Sequence, residues 1–563
     1  MSPETLLQKF DVMAEAPNGV QKLRELILQL AVRGKLVPQD PNDEPASVLL
    51  EQIPAEKQRL YKGKAKQPDG LAPVSQDVAP FEVPDRWTWV RIGEAMDLIN
   101  GRAFKPTEWS TTGIPIVRIQ NLNNADAPFN YCNFEIPDKF YIDTEDLLLS
   151  WSGTPGTSFG AFVWRRGRAV LNQHIFRCDL YGNAYTNDFA RLAINGRLEE
   201  MIAQAHGGVG LQHVTKEKLE KLAIVLPPLP EQRRIVAKVD ELMALSDELE
   251  AWQQRRAQAR AHLNRSALHH LTAVNDDAGL AEHWHRLHEN FDLLYDTPEM
   301  VAELRQAVLQ LAVRGKLVPQ DPCDEPASVL LERIAREKQH LHRQGQIHNL
   351  KSLPPLSRDE LTFEVPDGWE WVRLGSFGEF LGGGTPSKSD STLWDGSIPW
   401  VTPKDMKLSQ IRTTTDYVAE AALTRSAVRL IRAGAILIVV RGMILARTFP
   451  VAVAAQEVTV NQDMKGIVLH EQRTEKYLLL ALKALEPIVL KRVERSTHGT
   501  CRLESSAIQK LCIPLPPLPE QRRIVAKVDE LMALCDDLEA RLTSAREKAS
   551  HLAASVVHHA VAA

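Results

Sequence analysis

Apolar residues recur on one side of a helix from Ile235 onward, at Ile235, Val239, Leu242, Leu245, Leu249 and Trp252. Spacing of three and four residues is that of a one-sided helical stripe. Pro227, Pro228 and Pro230 suit its entry, and Glu231 stands in its first turn, where the macrodipole favours an anion. The pattern predicts a helix from Glu231 to about Thr272, on the order of 60 Å at 1.5 Å per residue. Ile235, Leu242 and Leu249 keep a spacing of seven, Arg256 breaks it and Leu263 resumes it. Ile524, Leu531 and Leu538 carry the same spacing in a second helix, running from Glu520 to near the C-terminus. Two readings compete: a short coiled-coil pairing of the long helices, or stripes that each cover their own domain. Length favours pairing, because one small domain does not cover so long a helix. Shorter stripes, Leu23, Leu26, Ile27 and Leu30 before Gly34, and Leu304, Ala307, Val308 and Leu311 before Gly315, predict two amphipathic helices with glycine stops.

Strand-like runs lie between these helices. IPIVRI (Ile114–Ile119), DLLLSW (Asp146–Trp151), RAVLNQHIF (Arg168–Phe176), LAIVL (Leu222–Leu226), AILIVV (Ala435–Val440) and GIVL (Gly466–Leu469) are apolar and bounded by Gly, Pro or Asn. The polar stretches Lys62–Gln76 and Ala273–Asn290 read as linkers.

The chain repeats itself. LRELILQLAVRGKLVPQDPNDEPASVLLEQI (Leu23–Ile53) returns as LRQAVLQLAVRGKLVPQDPCDEPASVLLERI (Leu304–Ile334), 281 positions on. FEVPDRWTWVRIG (Phe81–Gly93) returns as FEVPDGWEWVRLG (Phe363–Gly375) after 282 positions, and LPPLPEQRRIVAKVDELMAL (Leu226–Leu245) returns unchanged at Leu515–Leu534 after 289. The extra length therefore falls between the second and third motifs, where the wording also diverges. Near-identical frames enclose two different inserts, and such a repeat decides the architecture. The expected fold class is α+β: two mixed α/β domains joined and separated by long helices that form an antiparallel coiled-coil-like pair, in an internal pseudo-twofold repeat.

Composition adds boundaries. A chain of 563 residues holds several domains. Its 44% hydrophobic and 25% charged residues suit packed cores. No window approaches the roughly 20 apolar residues of a membrane span. The first residues, MSPETLLQKFDVMAE, lack the order of a secretory leader, so the expected address is the cytoplasm. Cys132, Cys178, Cys323, Cys501, Cys512 and Cys535 have no regular spacing and read as reduced thiols. With a net charge of −5, any basic surface must be local.

The order constant, variable, constant, variable, constant, with LPPLPEQ opening a helix after each variable block, resembles the specificity subunit of type I restriction-modification systems. The likeness covers nearly the whole chain. GIPIVRIQNL (Gly113–Leu122), LNQHI (Leu171–Ile175), GGTPSKSDSTLWDGSIPWVTPKDM (Gly383–Met406) and VNQDMKGI (Val460–Ile467) resemble patterns inside that family's target recognition domains. The resemblance implies a helical region over 1–80, a target recognition domain over 81–225, a central region with a spacer helix over 226–350, a second target recognition domain over 363–514 and a spacer helix over 515–563. It also implies that each target recognition domain reads one half of a split, asymmetric DNA target. The repeated helices would dock two methyltransferase subunits, which carry S-adenosylmethionine and methylate adenine at N6. Restriction subunits that use ATP and Mg would join them. No catalytic site and no cofactor are expected in this chain.

Setting the inserts side by side suggests where DNA contacts lie. IPIVRIQNL against IPWVTPKDM keeps Ile114/Ile398, Pro115/Pro399 and Val117/Val401 but changes Arg118 to Thr402, Gln120 to Lys404 and Asn121 to Asp405. Arg and Lys suit guanine, Gln and Asn suit adenine, and Asp accepts from cytosine. Each of these positions also reads as an ordinary surface residue of a strand-to-loop junction. Asn123 extends the first segment. Arg102 and Lys105, and Thr385, Ser387 and Lys388, lie in loops where glycine permits close backbone approach. Arg165 and Arg166 belong to the densest basic cluster of the first insert, WRRGR, which also reads as a hairpin turn with solvated charges. Arg441 follows the apolar run of the second insert. Gln173 and Gln462 occupy the same place in both repeats, so a backbone-binding or structural role suits them better than base discrimination. Arg233/Arg522 and Arg234/Arg523 open the long helices and read as solvated or partner-facing.

Other classes find less support. There is no G-x-x-x-x-G-K-[ST] loop and no N/D-P-P-[FY] stretch. Asp367 with Asp405-Met406-Lys407 is a loose match to a metal-dependent nuclease cluster, and His283, His285 and His288 lie in a polar stretch without a cysteine. A paired-helix scaffold for protein partners is the main competitor.

Overall fold

The computed structural model describes residues 13–61, 71–74, 79–124, 126–153, 159–197, 202, 212–274, 276–347, 353–495 and 499–562. Two compact units emerge: unit 1 is Met1–Arg256 with Ala545–Ala563, and unit 2 is Ala257–Ser544. Among the described residues, no helix is long and apolar enough to cross a membrane.

Each unit contains one α/β domain built to the same plan. Its first and last strands pair antiparallel: Thr88–Arg91 with Ala223–Leu226 in unit 1, Glu370–Arg373 with Cys512–Leu515 in unit 2. The chain thus enters and leaves each domain through one ribbon. Between them, unit 1 carries a four-stranded sheet in the order Met96–Asn100, Ile175–Leu180, Leu147–Ser150, Gly160–Val163. A second sheet runs Asn130–Cys132, Ile114–Val117, Ala169–Leu171, Tyr141–Ile142, with its middle pair parallel. Unit 2 has a five-stranded sheet, Gly378–Gly382, Met464–Leu469, Ile436–Val439, Val451–Ala454, Gln410–Ile411. Its second sheet is Asp416–Val418, Ile398–Val401, Thr459–Val460, again with a parallel pair. Leu147–Ser150 and Ile436–Val439 are buried along their whole length, as continuous apolar runs require.

The strand expected over Arg168–Phe176 is two strands. Ala169–Leu171 belongs to one sheet and Ile175–Leu180 to the other, with Asn172, Gln173 and His174 turning between them. The Ile175 amide donates to the Asn172 carbonyl at 3.2 Å, which closes the turn. Asn461, Gln462 and Asp463 make the same crossing between Thr459–Val460 and Met464–Leu469.

Both long helices form, Leu229–Ala273 and Leu518–Ala562, each of 45 residues. Their first turns plug the cores of the preceding domains: Ile235 and Val239 join one core, Ile524 and Val528 the other. Burying such a side chain stabilises by about 1.5–3 kcal/mol. Further along, the expected stripe opens to solvent, with Leu245 and Trp252 about half exposed. In unit 1, Leu249 meets Ala553 and Val556 of the other long helix and Leu23 and Leu26 of the helix Gly19–Val32. In unit 2, Leu268 and Leu271 meet Cys535, Leu538 and Val301, Leu304 of the helix Pro298–Val313. Each cluster is therefore a small bundle that includes the short repeated helix, rather than a bare helix pair.

Ala273–Asn290 is not a linker: Asp277–Glu289 is a helix, capped by the Asp276 carboxylate accepting from the Gly279 amide at 2.8 Å. Its stripe of Leu280, Trp284, Leu287 and then Phe291 was hidden among charged residues, and Leu287 is buried. His283, His285 and His288 lie on this helix, His285 against Glu289 at 3.1 Å. Of the other expected linker, residues 62–70 and 75–76 lie outside the described residues, and 71–74 are neither helix nor strand.

A buried carboxylate fastens each domain to its helix. The Glu231 side chain accepts from Trp87 Nε1 at 3.0 Å and from Gln39 Nε2 at 2.6 Å. Glu520 accepts from Trp369 Nε1 at 2.9 Å and from Gln320 Nε2 at 3.1 Å. Burial pushes both carboxyls above their usual pKa, while the two donors to each pull back toward ionisation. Beside them, Arg234 pairs with Asp43 and Arg523 with Asp324, each at 2.7 Å. Arg234 and Arg523 are thus ion-paired within the fold as well as partly solvated; Arg233 and Arg522 are exposed. Gly34 and Gly315, both at φ +69°, let the preceding helices turn under Pro84 and Pro366, where a Cβ would come within 2.5 Å and 2.4 Å of the proline rings.

Candidate nucleic-acid interface

The crossing turn is the hub of each domain. In unit 1 the Asn172 amide donates to the Val117 carbonyl at 3.0 Å, joining the ends of two parallel strands. The Arg102 amide donates to the Leu171 carbonyl at 2.8 Å, the Trp151 amide to His174 O at 3.4 Å, and the Val214 amide to Trp151 O at 3.1 Å. Five segments, around residues 102, 117, 151, 172 and 213, thus converge on one end of the sheets. Unit 2 repeats the network bond for bond. Asn461 N meets Val401 O at 3.0 Å, Gly384 N meets Val460 O at 3.0 Å, Val440 N meets Asp463 O at 2.8 Å, and Leu503 N meets Val440 O at 2.9 Å. The backbone frame is shared, and the side chains on it are not.

The turn after the parallel strand has one fixed feature. Asn121 is fully buried; its Oδ1 accepts from the Arg118 amide at 3.1 Å and its Nδ2 donates to the carbonyls of Ala127 and Pro128. Asp405 holds the equivalent place: its carboxylate accepts from the amide and hydroxyl of Thr402, both at 2.8 Å, and from those of Thr415, both at 3.1 Å. Burial raises its pKa, but these four donors outweigh burial and hold it below the usual carboxylate range. Both residues have their hydrogen-bonding capacity taken up by the turn. That also removes Asp405 from any carboxylate cluster of the nuclease kind.

Their neighbours project outward. Gln120 and Asn123 are exposed in unit 1, Lys404 in unit 2, and Thr402 is partly so. Arg118 stacks over Trp109, 5.3 Å from the ring centroid, and Trp109 is itself 39% exposed. Arg102 is half-buried between Phe104 and Phe134, at 4.8 and 5.0 Å, and pairs with Glu108 at 2.5 Å. That arginine and the Lys105 amide hold the Glu108 carboxyl below its ordinary pKa. Lys105 is exposed. Arg166 lies over Trp164 and Phe129 and donates to Asn121 O, so it braces the turn. Arg165 pairs with Asp188 at 2.8 Å and with Glu145. The WRRGR stretch turns at Gly167 with φ +76° but is not the expected hairpin: it carries the chain from Gly160–Val163 in one sheet to Ala169–Leu171 in the other, and Arg165 and Arg166 are engaged within the domain. Gln173 contacts His174 at 3.2 Å.

In unit 2, Thr385 donates to Gln462 Oε1, tying the glycine-rich loop to the crossing turn. Ser387 bonds Ser389 at 2.8 Å, and Lys388 is exposed. Arg441 lies 3.8 Å from Asp463 and is half exposed. The segments at residues 151–153, 212–214 and 501–503 were not singled out in the sequence, because they join through backbone bonds that leave no residue-type signal. Among the described residues, no group of three or more His, Cys, Asp or Glu is placed to hold a metal ion.

Two domains of one plan, each presenting a different set of polar side chains on an identical backbone network, define a protein with two related recognition surfaces. The family model "Type I restriction modification DNA specificity domain" matches twice, at residues 84–258 and 366–545. The specificity subunit of the type I restriction enzyme EcoAI of Escherichia coli is 32% identical over 96% of this chain and 94% of its own length. That of EcoEI, also from E. coli, is 30% identical over 95% and 93%. A solved chain from work on complex assembly and conformational transition of the type I R-M system shares the fold, with a TM-score of 0.50 and 19% identity over 86% of this chain and 99% of that one. The chain belongs to the specificity subunits of type I restriction-modification systems, the non-catalytic components that recognise DNA.

Proposed function

We propose that residues 81–225 and 363–514 are the two target recognition domains, each reading one half of a split, asymmetric double-stranded DNA target. One observation carries this reading: the same hydrogen-bonded frame displays different exposed side chains in the two domains. Gln120, Lys105, Asn123 and Arg118 serve the first half-site; Thr402, Lys404, Arg441, Gln462, Thr385, Ser387 and Lys388 serve the second. Arg102, Arg165, Arg166, Asn121, Asp405 and Gln173 act one step back, shaping the loops. Phosphate contacts supply affinity and base-edge contacts supply discrimination. The repeated helices dock two methyltransferase subunits, which bring S-adenosylmethionine and methylate adenine at N6. Restriction subunits, with ATP and Mg, complete the assembly. This chain contributes address rather than chemistry.

The test is binding of the chain with its methyltransferase subunits to duplexes carrying the target, across a salt series. The expected result is a sequence preference over scrambled duplexes together with an affinity that falls steeply with salt. A helix-pair scaffold for proteins would show no preference for either half-site.

A further inference from the structure

The segment after Arg441 carries a feature that the polar contact set does not use. Met443 is 63% exposed and Ile444 is 37% exposed, on a single 3-10 turn, Met443–Ala446. The turn is rigidly held. Gly442, at φ +133°, donates its amide to the Cys501 carbonyl at 3.0 Å, the buried Leu445 donates to Gly442 O at 3.2 Å, and the Arg447 and Thr448 amides both donate to Ile444 O at 3.0 Å. Two large apolar side chains are therefore displayed to water on a braced tip. They sit next to a residue whose amide, with that of Val440, bonds Asp463 of the crossing turn. The corresponding stretch of the first domain, Thr154–Ser158, reads TPGTS and contains no large apolar side chain. The tip is continuous with the second domain's proposed reading surface.

Resting on the reading above, we propose that Met443, supported by Ile444, is a specificity-determining residue that recognises the C5-methyl group of a thymine in the half-site read by the second domain. That methyl is the one apolar group a base pair offers in the major groove. Arg441, two residues before the tip and held to the crossing turn at Asp463, supplies a donor beside it, which suits contact with a base edge in the same groove. Preorganisation makes the contact discriminating, because the rigid turn cannot withdraw Met443 when the methyl is missing.

The test uses the assembly with methyltransferase subunits and a duplex of the target that mapping of methylated adenine identifies. Thymines in the second half-site are replaced one at a time by deoxyuridine, which removes only the methyl. Parent assembly is expected to lose roughly fivefold to tenfold in affinity at one position, the scale of one methyl in an apolar contact. Met443→Ser should lose a similar factor on the thymine duplex and show no further loss with deoxyuridine, so the two changes are not additive. Ile444→Ser should show a smaller loss at the same position. The proposal is overturned if no deoxyuridine weakens binding, if Met443→Ser remains as sensitive as the parent, or if the second half-site contains no thymine on either strand. A general loss on every duplex, as from a wedge between base steps, also overturns it. Lys404→Ala, run alongside, separates the two levels. If it relaxes the second half-site while deoxyuridine has no effect, only this inference fails; if it leaves selectivity untouched, the underlying reading fails.

Discussion

Domain 1 and domain 2 differ less in their backbone than in how they hold positive charge. In the first, Arg102, Arg118, Arg166 and Arg168 each lie on aromatic rings, 4.5 to 5.3 Å from the centroids. Among the described residues of 376–512 no such pair occurs; Lys388, Lys404 and Arg441 project without aromatic support. A guanidinium on a ring keeps its direction at little entropic cost, whereas a lysine on a loop remains mobile until it meets a partner. The frame dictates where the loops meet, and the side chains dictate how firmly each contact is set in advance.

The largest test of the common frame is its anchor. Trp87→Ala and Trp369→Ala each remove a buried indole and one donor to a buried carboxylate, so each should cost about 3–5 kcal/mol. Urea unfolding should show similar losses for the two variants, and a large inequality would break the equivalence. Trp87→Phe and Trp369→Phe isolate the hydrogen bond and should cost about 1–3 kcal/mol.

Exchanging the turn residues sharpens the comparison. Asn121→Asp sets a carboxylate against the carbonyls of Ala127 and Pro128, where the native amide donates, and should cost about 2–3 kcal/mol. Asp405→Asn keeps an acceptor for Thr402 but sets its NH2 against the amide of the exposed Thr415, and should cost about 1–2 kcal/mol. Thermal unfolding of the two variants checks the order, and a reversal would mean that the turns are not equivalent.

The smallest difference is one of pH. Arg373, together with the Ser357 amide, holds the Glu360 carboxyl down to about 2, from a usual value near 4.5. A depressed folded-state value means that this contribution is present above about 4.5 and is lost as pH falls toward 2. Arg91, the counterpart of Arg373, donates instead to the carbonyls of Ala72 and Lys221. Hydrogen exchange on acidification should therefore rise sooner at Glu370–Arg373 than at Thr88–Arg91, and Glu360→Gln should abolish that pH dependence.

Much of this was legible in the sequence, and the exceptions have physical causes. The repeat, the long helices and most strands follow from spacing alone. The break at Asn172 was hidden because Ala169–Leu171 and Ile175–Phe176 are both apolar, and the sheet to which each belongs is set by tertiary pairing. Asp277–Glu289 was hidden because its stripe is thin and its polar face carries charge and histidine. The candidate contacts were found by comparing the two inserts, which distinguishes scaffold from variable positions. That comparison cannot tell the exposed Gln120 from the buried Asn121, since the turn that encloses Asn121 is closed by residues further along the chain, Ala127 and Pro128. Arg102 and Arg166 looked free for phosphate because one aromatic partner of each, Phe134 and Phe129, is distant in sequence, and nothing in the sequence shows that the nearby Phe104 and Trp164 turn to meet them.

The central claim is that two separable sets of side chains on one frame read two halves of a target. Genome-wide mapping of methylated adenine in cells carrying the methyltransferase subunits and either the parent chain, Gln120→Ala or Lys404→Ala tests it most directly. We expect each substitution to relax one half of the split sequence, by about 1–3 kcal/mol of discrimination at the affected base pair, while the other half and the spacer stay fixed. Unchanged selectivity in both variants, or loss of both halves together from either substitution, would contradict the account.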